Sequence, residues 1–206
     1  MDTNERKKHW EKVYATKKLE EVGWYQPTPK TSLDLIGSSN VPLDAKIIDI
    51  GGGDSLLVDH LLDRGYRNIT VLDISETSLE KAKKRLGVRA EQVKWIVADV
   101  TKFKPTETYD IWHDRAAFHF LLEDAEVVSY LHSALLGIVP NGLMILGTFS
   151  DQGPKKCSGL DVKQYGEIEL TQVVNKDFQK IKCLKMDHKT PSGNLQNFLF
   201  CLFRRK

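Results

Sequence analysis

The chain predicts an α/β fold: a doubly wound, mostly parallel, seven-stranded sheet that ends in an antiparallel hairpin. Three observations predict it. Apolar, β-branched runs alternate with amphipathic helical runs between residues 45 and 150. The glycine cluster "DIGGGD", residues 49–54, falls where the first strand run gives way to the first helical run. The last third instead carries two long strand-like runs on either side of "PSG", residues 191–193, as a hairpin would. No internal repeat, low-complexity tract or long linker divides the 206 residues, so one domain over 1–206 is expected. Within it, residues 1–40 read as a helical lid segment, 45–150 as the ligand-binding core, and 151–206 as a helix followed by the hairpin.

The elements follow in order. "AKIIDI" (45–50) is a buried strand, and "SLLVDHLLDRG" (55–65) a helix with Leu56, Leu57, Leu61 and Leu62 on one face and Gly65 just past its end. "NITVLDI" (68–74) is the second strand. Ser75 is placed to cap the next helix, which keeps Leu79, Ala82 and Leu86 together and stops at Gly87. "VKWIVADV" (93–100) and "YDIWHD" (109–114) are the third and fourth strands. The helix "DAEVVSYLHSALLGIV" (124–139) sets Val127, Val128, Leu131, Leu135 and Ile138 in register, and "PNG" ends it before the fifth strand, "LMILGTF" (143–149). A weaker helix near "YGEIELTQVV" (165–174) precedes the hairpin.

Composition excludes several classes. Lys plus Arg number 30 against 28 Asp plus Glu, a net charge of +2, so no basic field points to nucleic acid. No stretch approaches the roughly 18 apolar residues that cross a bilayer, and the polar N-terminus has no signal-peptide core; no membrane partner and a cytoplasmic location are expected. Cys157, Cys183 and Cys201 lie far apart, so neither a disulfide framework nor a metal site is signalled. Cys183 and Cys201 read as small hydrophobes in strands, and Cys157 as part of a rim loop.

The glycine loop carries the function. In doubly wound sheets, ligands bind at the carboxyl ends of the strands where strand order reverses. There, glycine permits close approach and positive φ. Asp73, about 20 residues on, is spaced to accept from both hydroxyls of a ribose. A dinucleotide wants G-x-G-x-x-G, but here Leu56 replaces the third glycine, and Asp49 would meet a phosphate with negative charge. A ligand with a cationic centre and an amino group suits Asp49 better.

On these residues the resemblance becomes specific. "IIDIGGGDS" resembles the first motif of the class I S-adenosylmethionine-dependent methyltransferases, "VLDIS" the acidic loop after their second strand, and "VADV" the motif whose Asp contacts adenine. "YDIWHDRAAFHFL", "LLGIVPNGLMIL" and the lid stretch "HWEKVY…WYQPTP" are similar to later and earlier parts of the same fold, which is Rossmann-like. The resemblance covers essentially the whole chain. It implies that S-adenosylmethionine is the cofactor, with Gly51, Gly52 and Gly53 against its ribose and methionine portion. Asp49 would contact its methionine end, Asp73 and Ile74 its ribose, and Asp99 and Val100 its adenine. Many members carry a third glycine where this chain has Ser55.

Methyl transfer is a direct displacement and needs a base only when the nucleophile starts protonated. His113, Asp114 and His119 are the catalytic candidates, with an Asp114–Arg115 ion pair as the structural alternative for Asp114. Trp112 and Phe118 read as core. Of the lid residues, Tyr14, Trp24, Tyr25 or Gln26 are expected at the pocket, while Trp10 and Tyr14 could equally pack on the core. "HDRA" stands where base-modifying members carry [D/N]-P-P-[Y/F], so the acceptor is expected to be a small molecule with an O, N or S nucleophile. A protein lysine is the alternative. A noncatalytic cofactor-binding module or a dinucleotide-dependent reductase are the readings from other classes.

Overall fold

The computed structural model describes residues 2–206. Helix α1 (Thr3–Thr16) begins on a capping box in which Asp2 and Glu5 satisfy each other's backbone N–H. After α2 (Lys30–Gly37), strands and helices alternate as β1 (Lys46–Ile50), α3 (Leu57–Asp63), β2 (Asn68–Asp73), α4 (Glu76–Leu86), β3 (Val93–Val97), β4 (Tyr109–Arg115), α5 (Asp124–Gly137) and β5 (Ile138–Phe149). A small two-stranded ladder, β6 (Lys156–Cys157) and β7 (Leu160–Asp161), then leads to α6 (Glu167–Val174) and the hairpin of β8 (Phe178–Lys189) and β9 (Leu195–Arg205).

The main sheet has seven strands in the order β3-β2-β1-β4-β5-β9-β8. The first five are mutually parallel, β9 is antiparallel to β5, and β8 is antiparallel to β9. Strands buried on both faces must be apolar at consecutive positions, and they are. Ile47, Ile111 and Ile145 face a core shared with α2, α3 and α4, while Ile48, Trp112 and Met144 face a second core under α5 and α6. Trp112 and Phe118 are fully buried in that second core, as expected. Among the described residues no helix is long and apolar enough to cross a membrane.

Local punctuation falls where the residue chemistry places it. Ser75 caps α4 by accepting from the Ser78 N–H, Gly65 follows α3 at φ +88°, and Gly87 closes α4 at φ +59°. Several boundaries differ from expectation. Helix α3 starts at Leu57 because Ser55 Oγ accepts the Leu57 N–H, which leaves Leu56 as a half-buried, non-helical residue. Its buried face is Leu57, Val58 and Leu61. In α5, Tyr130, Ala134 and Gly137 join Val127 on the inner face, and Val128 points to solvent. Strand β3 stops at Val97, so Asp99 belongs to the turn beyond it. Strand β5 begins at Ile138 rather than after "PNG".

The largest correction concerns cysteine. Cys183 and Cys201 form a disulfide. They are directly opposed in the β8–β9 register, with Cα atoms 4.1 Å apart, so a separation of 18 in sequence becomes contact across the hairpin. The "PSG" turn centred on Ser192 is equidistant from both, which is the signal that could have found the pair.

Candidate functional site

The chain moves outward from β1 to β3 and then returns to β4, so the crevice opens where β1 and β4 leave the sheet side by side. Asp49 and Ile50 end β1, and the parallel register sets Asp49 against His113. Both are buried, and Asp49 Oδ1 accepts from His113 Nδ1 at 2.7 Å. His113 Nε2 takes the Ser32 hydroxyl at 2.8 Å, so α2, β4 and β1 are joined by one polar chain inside an apolar layer. The glycines follow. Gly51 sits at φ +63°, where a Cβ would come within 2.6 Å of the Ala117 Cβ. Gly53 sits at φ +49°, where a Cβ would lie 2.5 Å from the Tyr14 hydroxyl oxygen and 3.1 Å from Asp73 Oδ2. Neither position tolerates a side chain, for conformational and steric reasons together.

On the side of β2 and β3 the cleft is lined by carboxylates. Asp73 Oδ1 accepts the Ser75 N–H at 2.8 Å. Burial raises Asp73 to about 7 despite that bond, and the neighbouring charges of Asp49 and Glu11 push the same way. Asp99 is bonded on both oxygens. Thr101 donates its N–H and hydroxyl to Oδ1, and Thr3 (2.9 Å) and Arg6 (3.3 Å) donate to Oδ2. Burial alone would raise Asp99, yet these donors hold it below the usual carboxylate value. Arg6 also pairs with Glu126, and Glu11 accepts from Ser75 Oγ and from the N–H groups of Glu76 and Thr77 at the start of α4. Thus α1 is fastened across the mouth by polar bonds to three elements.

On the other side the walls are aromatic. Trp10 stacks edge-on against Trp24 (5.8 Å between centroids) and Phe120 (5.1 Å), and Tyr14 lies 6.1 Å from Trp24. Arg115 ends β4 here and donates to the Trp24 carbonyl. Burial, more than any neighbour, lowers it to about 10. Cys157 closes the far wall, its thiol raised by burial to about 11. Between both sides lies a void, partly open to solvent.

A family profile described as a methyltransferase domain matches residues 47–142, from β1 into the first half of β5. The N-terminal Xaa-Pro-Lys N-methyltransferase 1-B of Xenopus laevis is 30% identical over 159 residues, which are 75% of this chain and 70% of that protein. The chain belongs to the class I S-adenosylmethionine-dependent methyltransferases. The eEF1A lysine and N-terminal methyltransferase of Mus musculus is 29% identical over 124 residues, 59% of this chain, and the chain spans only 17% of that protein's length. In fold, the chain is similar to the N-methyltransferase NodS of Bradyrhizobium japonicum in complex with S-adenosyl-L-homocysteine. The TM-score is 0.73 at 15% identity, over 100% of this chain and 99% of that one. Membership in that family, rather than the likeness in fold, makes S-adenosyl-L-methionine the methyl donor.

The methyltransferase brings most of the sequence-predicted residues to one cleft. Gly51, Asp73, Ile74, Asp99, Val100, Tyr14 and Trp24 line the main void; Asp49 and Gly52 line a smaller recess beside it, which Gly51 and Trp24 share. Gly53 lies beneath Tyr14. Gln26 does not line the void; its amide lies 3.4 Å from His188 Nδ1, because the chain turns away at Pro27. Tyr25 is likewise outside it. Of the catalytic candidates, His113 reaches only the recess, with both ring nitrogens engaged. Asp114 points to the opposite face of β4. There it accepts from the N–H groups of Ala117 and Phe118 and from the Tyr130 hydroxyl, while burial raises it to about 6. His119 is fully buried, accepts the Phe149 N–H, and is lowered by burial to about 3. Neither Asp114 nor His119 lines the void. Sequence reasoning missed Arg6, Arg115 and Phe120, and left Trp10 open between pocket and core.

Proposed function

We propose that this methyltransferase transfers the methyl group of S-adenosylmethionine to an oxygen, nitrogen or sulfur atom of a small-molecule acceptor held between Trp10, Trp24, Phe120 and Cys157. The observation that carries this reading is the enclosure of the cleft. The lid, proposed as the first forty residues of a single domain, is bonded across the mouth through Arg6, Glu11 and Trp24, over a void lined by carboxylates on one side and aromatic rings on the other. The bound cofactor supplies a methyl group on a sulfonium, which transfers by direct displacement.

The residues of this chain would do the rest. Asp73 accepts from the ribose hydroxyls with the oxygen that Ser75 leaves free, and Asp99 accepts from the adenine amine beside Val100 in place of the Thr3 hydroxyl now on its Oδ2. Asp49, oriented by His113, faces the amino end, and Gly51 and Gly53 let the backbone approach where a Cβ would not fit. The ionisable groups that line the void on its aromatic side are Arg115, Cys157 and Tyr14, and burial raises both the thiol and the phenol, so all three hold their protons near neutral pH. The reading therefore assigns no general base. Proximity and alignment supply the acceleration, on the order of 7–11 kcal/mol in favourable cases, and the acceptor releases its proton to solvent or arrives without one.

A protein acceptor, lysine or an N-terminal amine, is the second reading. What favours it is that the relatives named above carry those substrates in their names. Cytoplasmic location is part of the proposal too, and the Cys183–Cys201 bridge is the observation it must accommodate. Parallel calorimetric titrations with S-adenosylmethionine, S-adenosylhomocysteine and NADH test the cofactor half. Methyl transfer from labelled cofactor to small acids, amines and thiols, set beside lysine and N-terminal peptides, tests the acceptor half. Labelling of peptides alone would replace the first reading by the second.

A further inference from the structure

Arg115 is a cation without a counterion. Its guanidinium offers five N–H donors, of which protein takes one, at the Trp24 carbonyl, and it makes no ion pair among the described residues. Asp49 is the acid whose charge acts on it most, but the Asp49 carboxylate is already bonded to His113. The residue is walled by protein and half-buried because it opens onto the void, which it lines together with Trp10, Trp24, Phe120 and Cys157. Burying a charge without a partner is costly, and the drop of Arg115 to about 10 reflects that cost. The planar fork of arginine matches a carboxylate in bidentate fashion.

Position separates this cation from the nucleoside. Asp73 and Asp99 follow β2 and β3, whereas Arg115 ends β4 and reaches Trp24, whose neighbour Gly23 is bonded through its carbonyl to His188 of β8. It stands on the aromatic side of the cleft and also borders the recess lined by Asp49 and Gly52.

We propose that the acceptor is a small carboxylic acid with a planar apolar body, its carboxylate held by Arg115 and its body between Trp10, Trp24 and Phe120. This rests on the methyltransferase reading of the cleft and narrows it, since a cationic lysine would meet Arg115 unfavourably. The same carboxylate chemistry could come from the amino-acid end of the cofactor, so the experiment separates the two sources.

Benzoate and its neutral isostere benzamide are titrated into protein saturated with S-adenosylhomocysteine, read by the fluorescence of Trp10 and Trp24 and by calorimetry. Wild type is expected to prefer benzoate by at least tenfold. Arg115→Met is expected to remove that preference while S-adenosylhomocysteine affinity stays within threefold, and Arg115→Lys to keep part of it. The proposal is overturned if wild type does not discriminate. It is also overturned if Arg115→Met keeps the preference, or weakens S-adenosylhomocysteine tenfold without weakening 5′-methylthioadenosine, which has no carboxylate; the guanidinium would then serve the cofactor. If wild type binds no S-adenosylhomocysteine, the proposed function fails, and the benzoate titration into the free protein still judges Arg115.

Discussion

The two sides of the cleft are built on opposite principles. The carboxylate side, proposed to hold the nucleoside, has acids that the fold has already engaged: Asp73 by the Ser75 N–H, Asp99 by four donors, two of them from α1. The aromatic side, proposed to hold the acceptor, has a cation that the fold has left open, among rings that contact one another more than they contact polar groups. A site that must take the same nucleoside every turnover can be organised in advance, with the entropy of ordering met by folding. A site that chooses its second substrate shows its preference through what remains unpaired.

The sharpest way to break this contrast is Asp73→Ala. If the nucleoside side carries cofactor affinity, removing a carboxylate that accepts two ribose hydroxyls should cost about 100-fold in S-adenosylhomocysteine affinity by calorimetry, since each bond to a charged group contributes roughly 1.5–3 kcal/mol. Affinity within threefold of wild type would mean that Asp73 serves the fold alone.

A fivefold effect follows from the same residue without mutation. Asp73 is raised to about 7 from an ordinary value of 3.8. Between those values the folded chain holds a proton that the unfolded chain has lost, so this group costs stability as pH rises through the window. Binding has the opposite sign. Ribose hydroxyls donate to the ionised carboxylate, so binding expels the proton and affinity should fall about fivefold from pH 7 to pH 6. Asp73→Asn should flatten that profile, and an unchanged slope in the variant would assign it to another group.

What could be read from the sequence follows the same division. The glycine loop, the Ser75 cap, Asp73 and Asp99 are legible because their roles depend on neighbours within a few residues and on strand ends fixed by apolar periodicity. Asp49 and His113 were each singled out, but their contact was not, since it exists only through the β1–β4 register. Arg115 was misread for an instructive reason. Adjacent to Asp114, it suggested an ion pair, yet successive residues of a strand point to opposite faces. Asp114 accordingly turns to Tyr130 in one core and Arg115 to Trp24 in the cleft. The disulfide and the roles of Trp10 and Arg6 were hidden in the same way, by partners far away in the chain.

The smallest expected effect concerns the seam where the two sides meet. Arg6 lies near the start of the lid and bonds Asp99 and Glu126, while Trp10, one turn further on, packs on Trp24 and Phe120. Arg6→Met keeps much of the apolar stem and removes the ion pairs. Asp99 retains both bonds from Thr101, so the adenine contact should survive and cofactor affinity should fall only about three- to fivefold, near 1 kcal/mol. The informative quantity is where else the loss appears. If α1 closes as one body, the rings lose their seat together with the ion pair, and quenching of Trp10 and Trp24 by acrylamide should rise in the variant even with cofactor bound. If quenching is unchanged, the aromatic cluster holds itself together and the two sides of the cleft are independent. Acceptor specificity could then be altered through Arg115 without disturbing the grip on the nucleoside.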